Sequence, residues 1–159
     1  MSKHFDIAVL GGGLAGLSLL YHLARAGKLA GKSVLLVDPE GRKASHDRSW
    51  SFWERGAGPF EELVYHRWPT VTVHNRKRDL ELPLGDYCYK LIRSTEFYAH
   101  VNAVIDRVPG LVRRDGRAER IEAGEREVTF AVGDVAYRAD LAFSSLPLHL
   151  RPRPVHRGL

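Results

Sequence analysis

Along this chain the apolar positions fall into two dense runs, Phe5-Asp-Ile-Ala-Val-Leu10 and Ser33-Val-Leu-Leu-Val-Asp38. Such runs alternate too little to present a polar face and read as strands buried on both sides, as in a parallel sheet. Between them, from Leu14 to Gly27, no proline interrupts. Leu17, Leu20, Tyr21 and Ala24 recur there at i, i+3, i+4 and i+7, the stripe of a crossover helix lying on a sheet. The pattern therefore predicts a β-α-β unit over residues 5–38.

Beyond Asp38 the pattern changes. A polar loop, Pro39 to Asp47, leads into the aromatic run Ser49-Trp-Ser-Phe-Trp53, and residues 54–68 show no clear period. Val71, Val73 and the segments 79–84 and 86–92 read as strands of an antiparallel meander, broken at Pro83, Gly85 and Asp86. Ser94 is the expected N-cap of a helix over Thr95–Ile105, whose apolar stripe is Phe97, Val101, Val104 and Ile105 and which ends before Pro109-Gly110. Three more strands are expected around 118–123, 126–132 and 135–145, separated by turns at Ala123-Gly124-Glu125 and Gly133-Asp134. The last contains Ala139-Asp-Leu-Ala-Phe-Ser-Ser145, an apolar run that follows two short meander strands. That order suits flavin-binding two-dinucleotide folds, whereas an ordinary NAD domain keeps alternating strand and helix. The expected fold class is α/β: one domain over residues 1–159, a Rossmann-like FAD/NAD(P)-binding βαβ unit with a β-meander insertion.

The junction of the first strand and helix carries candidate chemistry. Gly11, Gly13 and Gly16 are spaced as a dinucleotide fingerprint: the first for the tight turn, the second for close approach of the backbone to a pyrophosphate, the third for helix-on-sheet packing. The unpaired N–H groups and dipole of the helix start supply an anion site. Asp38 closes the second strand about twenty positions after Gly16, where a carboxylate can hold the ribose hydroxyls of an adenosine. The candidate cofactor-binding set is Gly11, Gly12, Gly13, Leu14, Ala15, Gly16 and Asp38. The competing reading is a plain βαβ unit whose glycines serve packing only, with Asp38 as a solvated strand end.

Composition narrows the classes. At 159 residues and 44% hydrophobic content the chain can bury the core of one soluble domain. Its net charge of +5 comes mostly from arginines, spread through loops and concentrated in 107–126 and in the tail Arg151 to Arg157; a basic surface suits anionic lipid or nucleic acid but is read as solvation, and no basic motif interleaved with aromatics points to nucleic acid. Cys88 is the single cysteine, so no disulfide framework exists, and it is expected to be a small buried hydrophobe. The eight histidines form no metal-ligand pattern, and no metal is expected. The first strand begins within a few residues of Met1, and no apolar run reaches the length of a membrane span, so the expected location is the cytoplasm. Glu61-Glu62 is a carboxylate pair expected to be solvated.

Four segments together carry a family resemblance: Leu10-Gly-Gly-Gly-Leu-Ala-Gly16, Asp47-Arg-Ser-Trp-Ser-Phe-Trp53, Tyr89-Lys-Leu-Ile-Arg-Ser-Thr-Glu-Phe97, and the strand at 139–145. In this order they resemble the N-terminal FAD-binding part of bacterial lycopene cyclases, whose second block reads Asp-Arg-Thr-Trp-Ser-Phe-Trp. The resemblance implies redox-neutral cyclisation of lycopene end groups to β-ionone rings, giving β-carotene. It implies reduced FAD as cofactor with NAD(P)H as reductant, a carotenoid substrate, and peripheral contact with the inner face of a membrane. It adds Arg48 to the cofactor set, and places Asp47, Arg48 and Trp50 near the flavin and the mouth of a substrate tunnel. The structural alternative for these three is an Asp–Arg pair fixing a loop and tryptophans filling a core. Arg93 and Ser94 match a family position, as phosphate contacts or as a helix cap.

The family's acidic Phe-Leu-Glu-Glu-Thr motif and its ribityl-binding segment have no counterpart among these residues, so no catalytic residue is assigned. The chain is expected to be a truncated part of a cyclase. The alternatives are an FAD-dependent oxidoreductase or monooxygenase of the wider superfamily, and a non-catalytic dinucleotide-binding remnant.

Overall fold

The computed structural model describes residues 3–39 and 48–145. They fall into two compact units, one formed by residues 3–39 with 104–145 and the other by residues 48–103.

The first unit is built on a sheet of six strands. Strand β1 (Lys3–Leu10) leads through the glycine turn into helix α1 (Leu14–Arg25), and the chain returns as β2 (Val34–Asp38), parallel to β1. The helix ends two residues before the expected Gly27, with Ala26 at its C-cap and Gly27 in the left-handed region. Its buried residues are Gly16, Leu17, Leu20 and Tyr21, the predicted stripe less Ala24, which is half-buried. Every residue of β2 is buried, as a strand without alternation requires.

Later in the chain come β8 (Leu111–Asp115), β9 (Ala118–Ala123), β10 (Val128–Val132) and β11 (Val135–Ser144). The sheet order is β8-β2-β1-β11-β10-β9. β8, β2, β1 and β11 are parallel, while β10 and β9 join antiparallel. The expected return of 139–145 to the central sheet is thus observed, with Ile7 opposite Leu141 and Val9 opposite Phe143. Phe5, Ala8, Leu10, Leu35, Val37 and, from the meander, Phe130, Tyr137 and Ala139 share one core. Strand β8 is not among the strands the pattern predicts; as an edge strand with arginines at 113 and 114 it lacks the apolar density of its neighbours. The fold is Rossmann-like α/β with a meander.

The second unit holds a three-stranded antiparallel sheet in the order β3 (Ser49–Arg55), β7 (Tyr87–Arg93), β4 (Val64–Trp68), and a separate hairpin of β5 (Thr70–His74) and β6 (Asp79–Pro83). β3 and β4 are strands where the sequence showed only an aromatic run and no period. Helix α2 (Ser94–Ile105) takes in Ser94 as its first residue, one position before the expected start at Thr95. Trp50 stands edge-on to Phe97 and Tyr98, with ring centroids at 5.4 and 5.7 Å, and Phe60 is edge-on to Phe97 at 5.3 Å. This aromatic cluster is the packing role foreseen for Trp50 as an alternative to a ligand wall.

Candidate functional site

The turn from β1 to α1 is fixed by backbone bonds. The Gly11 N–H donates to the Val37 carbonyl at 2.8 Å, and the Ser145 N–H donates to the Leu10 carbonyl at 3.0 Å, tying the turn to both flanking parallel strands. Gly11 has φ of +120°, a conformation closed to side-chain-bearing residues, and a β-carbon there would collide with the Ser145 hydroxyl. Position 11 therefore requires glycine on two grounds, as the fingerprint reading holds for its tight turn.

The next glycines make room for different neighbours. A β-carbon on Gly12 would collide with the Asp38 carboxylate, and one on Gly16 would collide with the Gly11 carbonyl and press on the Val9 side chain at 3.0 Å. Gly16 thus lets α1 approach β1 closely, the packing role expected of it. Gly13 differs from all three: it has ordinary extended dihedrals, φ −81° and ψ −171°, and nothing lies within 4 Å of where its β-carbon would be. The space above Gly13 is open.

Gly13 is also the N-cap of α1. It offers no side chain to the first-turn N–H groups, and the first turn carries no acidic residue. The amides at the helix start have no intrahelical acceptor, and the helix dipole adds partial positive charge at this end. Leu14 is half-buried and Ala15 exposed, so the first turn faces solvent. Such an arrangement, an uncapped helix start beside a glycine turn, can receive an anion.

Asp38 ends β2 beside this turn and is only 5% exposed. It is not the solvated strand end of the packing-only reading. The structure brings Gly11, Gly12, Gly13, Leu14, Ala15, Gly16 and Asp38 together in one unit. Arg48 belongs to the other unit, where its N–H donates to the Ser94 hydroxyl at 2.8 Å and its carbonyl accepts from the Ser94 N–H at 2.7 Å. Ser94 is fully buried and braces the entry to β3 as well as opening the helix. Arg93 lies over the Tyr65 ring, 3.4 Å from its centroid. Asp47 lies outside the described residues, as does the arginine-rich tail.

Beside the turn, a cavity of about 410 Å³ is lined by Val9, Ala15, Gly16, Leu19, Phe143 and Ser145, among others. Its lining is apolar apart from serine hydroxyls, so it offers no charge to a phosphate.

Two expectations about other residues are corrected. Glu61 is not a solvated acid: it accepts from the Lys90 ammonium and, at 2.7 Å, from Arg67. Lys90 is 2% exposed and also bonds Glu54 at 2.8 Å and the Gly56 carbonyl at 2.6 Å. A buried ammonium needs counter-charge, and the two carboxylates supply it. Burial works against the charged form of Lys90, but the bonds from Glu54 and Glu61 outweigh it and raise its pKa. The bonds from Lys90 and then Arg67 lower the Glu61 pKa to about 2. Glu62 is exposed and pairs with His100 at 3.2 Å. Cys88 is half-buried rather than buried, with its thiol directed at the Trp68 carbonyl at 3.5 Å.

Lys90 was missed because a lysine in Tyr87-Cys-Tyr-Lys-Leu-Ile-Arg93 reads as solvated. The signal was its parity with Cys88 and Ile92, which puts it on the inward face of β7.

The family described as lycopene cyclase protein matches residues 6–159. No curated protein sequence matches the chain. Among solved structures, PqsL of P. aeruginosa in complex with 2-aminobenzoylacetate is similar with a TM-score of 0.64 and 17% identity, over 88% of this chain and 42% of that one. The p-nitrophenol 4-monooxygenase PnpA from Pseudomonas putida DLL-E4 is similar with a TM-score of 0.59 and 17% identity, over 91% and 41%. Halogenase PltM, in complex with ethyl mercury and mercury, is similar with a TM-score of 0.61 and 14% identity, over 92% and 36%. At these identities the likeness is one of fold. The chain spans between 36 and 42% of the length of these three.

Proposed function

The chain belongs to the lycopene cyclase protein family, and on that premise we propose that its glycine turn holds the adenosine diphosphate half of FAD in a flavoprotein that cyclises lycopene. The observation that carries the cofactor assignment is the open cradle at Gly13, set at an uncapped helix N-terminus with the buried Asp38 beside it. A β-carbon at position 12 would displace Asp38, and one at position 16 would displace the Gly11 carbonyl. The residues present therefore fit the group.

In this reading the first-turn N–H groups at Leu14, Ala15 and Gly16 receive the pyrophosphate, and Asp38 accepts from the ribose hydroxyls. Arg48 is assigned to the cofactor on its sequence motif alone. The flavin, reduced by NAD(P)H, supplies an electron-rich ring system to a reaction without net redox change. In that reaction an alkene end group of lycopene gains a proton, the resulting cation closes a six-membered ring, and loss of a proton leaves the β-ionone ring of β-carotene.

Protonating an alkene requires a carboxylic acid that stays protonated, which calls for apolar surroundings. Glu61 has the opposite environment, since two cations hold it ionised. Glu54 is likewise engaged with Lys90. Neither is assigned as the acid, and the share of the reaction given to this chain is cofactor binding by the glycine turn and Asp38. A bilayer-borne substrate also implies contact with a membrane surface from the cytoplasmic side; no helix among the described residues is long and apolar enough to cross a membrane.

The test is a chimera in which this chain replaces the corresponding N-terminal part of a full-length lycopene cyclase, expressed in cells that accumulate lycopene. The expected result is β-carotene, lost when Gly13 is changed to valine. A chimera loaded with FAD that leaves lycopene unchanged contradicts the substrate assignment.

A further inference from the structure

The β5–β6 hairpin stands apart from the other two sheets. Its cross-strand pairs Val71 with Leu82 and Val73 with Leu80 put four aliphatic side chains on one face, because residues two apart in a strand share a face. The other face carries Thr70, Thr72, His74, Asp79 and Glu81. An aliphatic face of this kind belongs against something apolar. Val73, Leu80 and Leu82 are instead 49, 42 and 39% exposed.

The tip of the same hairpin is Asn75-Arg-Lys-Arg78. It is an ordered turn: the Asn75 side-chain oxygen accepts from the Lys77 and Arg78 N–H groups at 2.8 and 3.1 Å, and the Asn75 N–H donates to the Arg78 carbonyl at 3.1 Å. The nearest acid, Asp79, is taken by His74 at 2.8 Å. Among the described residues none of the three cations has a carboxylate partner. At the other end the hairpin is anchored, since Pro69 alone separates β4 from β5 and the Leu84 N–H donates to the Pro69 carbonyl at 2.9 Å. Five residues per strand give it a reach of about 17 Å.

We propose that this hairpin is a docking element for an anionic lipid bilayer, with Arg76, Lys77 and Arg78 on the headgroup phosphates and the Val71, Val73, Leu80, Leu82 face at the acyl boundary. An isolated hairpin is marginal in water, and an apolar face with a basic end is the composition that lies in a bilayer interface. Nucleic acid would match the cations but leave the aliphatic face unused, since Val71, Val73, Leu80 and Leu82 offer no ring on which a base can stack, and the one ring of the hairpin, His74, lies on the other face and is paired with Asp79. The inference gives the proposed membrane contact a named element, and it rests on the hairpin alone, not on the cyclase reading.

Vesicle co-sedimentation without carotenoid tests it separately from catalysis, using the full chain and vesicles of phosphatidylcholine alone or mixed with phosphatidylglycerol. The chain is expected to bind the mixed vesicles and to release as salt rises. Changing Arg76, Lys77 and Arg78 together to glutamine should weaken binding by roughly two orders of magnitude. Changing Val73 and Leu80 to serine should weaken it by roughly tenfold for each residue. Thermal melts by circular dichroism should match the parent in both cases. Absence of binding to anionic vesicles, or equal binding by the glutamine variant, overturns the proposal. So does ultracentrifugation showing that the serine variant breaks a dimer, or tip-dependent binding to an oligonucleotide in place of vesicles.

Discussion

The Asp38 carboxylate lies against the α-carbon of Gly12, so close that a methyl group at position 12 would overlap it. The glycine is thus what permits an acid to be buried at the end of β2 beside the helix start. Gly12→Ala is expected to displace Asp38 and to weaken FAD binding about as much as Asp38→Ala. For a hydrogen bond to a charged group that loss is ~1.5–3 kcal/mol, roughly ten- to a hundred-fold in Kd. Calorimetric titration of both variants checks it, and an unchanged Kd in either one removes Asp38 from the cofactor.

Gly13 and Gly16 should separate binding from folding. Gly13 faces open space in an ordinary conformation, so Gly13→Val is expected to cost no more than about 1 kcal/mol of stability, through its N-cap position, while abolishing FAD binding. Gly16→Ala forces a methyl group into the Gly11 carbonyl and should cost roughly 1–3 kcal/mol of stability. Urea unfolding read beside flavin titration distinguishes them; a Gly13→Val protein that binds FAD normally shows that the space above Gly13 is not the phosphate site.

Removing Lys90 leaves Glu54 without its cation and Glu61 with Arg67 alone. Lys90→Ala is expected to destabilise the second unit by about 1–3 kcal/mol, less than for a wholly buried pair because the two carboxylates reach solvent and Glu61 keeps Arg67. Adding Glu54→Gln and Glu61→Gln to that variant should recover part of the loss. A chemical-denaturation cycle over these variants measures the coupling, and strict additivity would show that the carboxylates do not serve the lysine.

Acid should weaken both units through different groups. The hydroxyl and N–H of Ser33, at 2.6 and 2.7 Å, with a smaller contribution from Lys32, lower the Asp6 pKa to about 2. Glu61 is lowered to about 2 by Lys90 and Arg67. Both pKa values are depressed in the folded state. The stability they contribute is therefore complete above their unfolded values of 3.8 and 4.5 and is lost as pH falls from there to about 2. Asp6→Asn should flatten that acid limb for the first unit, as urea midpoints measured across the interval would show. A parent midpoint that does not move below pH 4.5 contradicts both assignments.

The first unit was legible in the sequence wherever one local rule decided the outcome. A short unbroken apolar run bounded by turn residues reads as a buried strand: β2 is buried throughout and β1 over Ala8–Leu10, while the run that ends β11 takes its parallel place in the sheet with Leu141 and Phe143 exposed. Gly11 is dictated by its positive φ, which a fingerprint spacing reports faithfully. β8 escaped because an edge strand needs few apolar residues, and Arg113 and Arg114 masked it. β3 and β4 escaped for another reason: β3 turns Trp50, Phe52 and the charged Glu54 inward with Trp53 outward, and β4 does not alternate, with only its ends Val64 and Trp68 half-buried. The Lys90 clamp and the contact of Gly12 with Asp38 are tertiary facts. No spacing along one strand reveals which carboxylate from another segment will meet a lysine.

The most direct test of the cofactor assignment is to titrate the purified chain with ADP, FAD and riboflavin and compare the affinities. If the glycine turn and Asp38 hold the adenosine diphosphate half, ADP and FAD bind with similar Kd, both lose affinity in Gly13→Val, and riboflavin does not bind. Binding of riboflavin with no response to ADP would contradict the account.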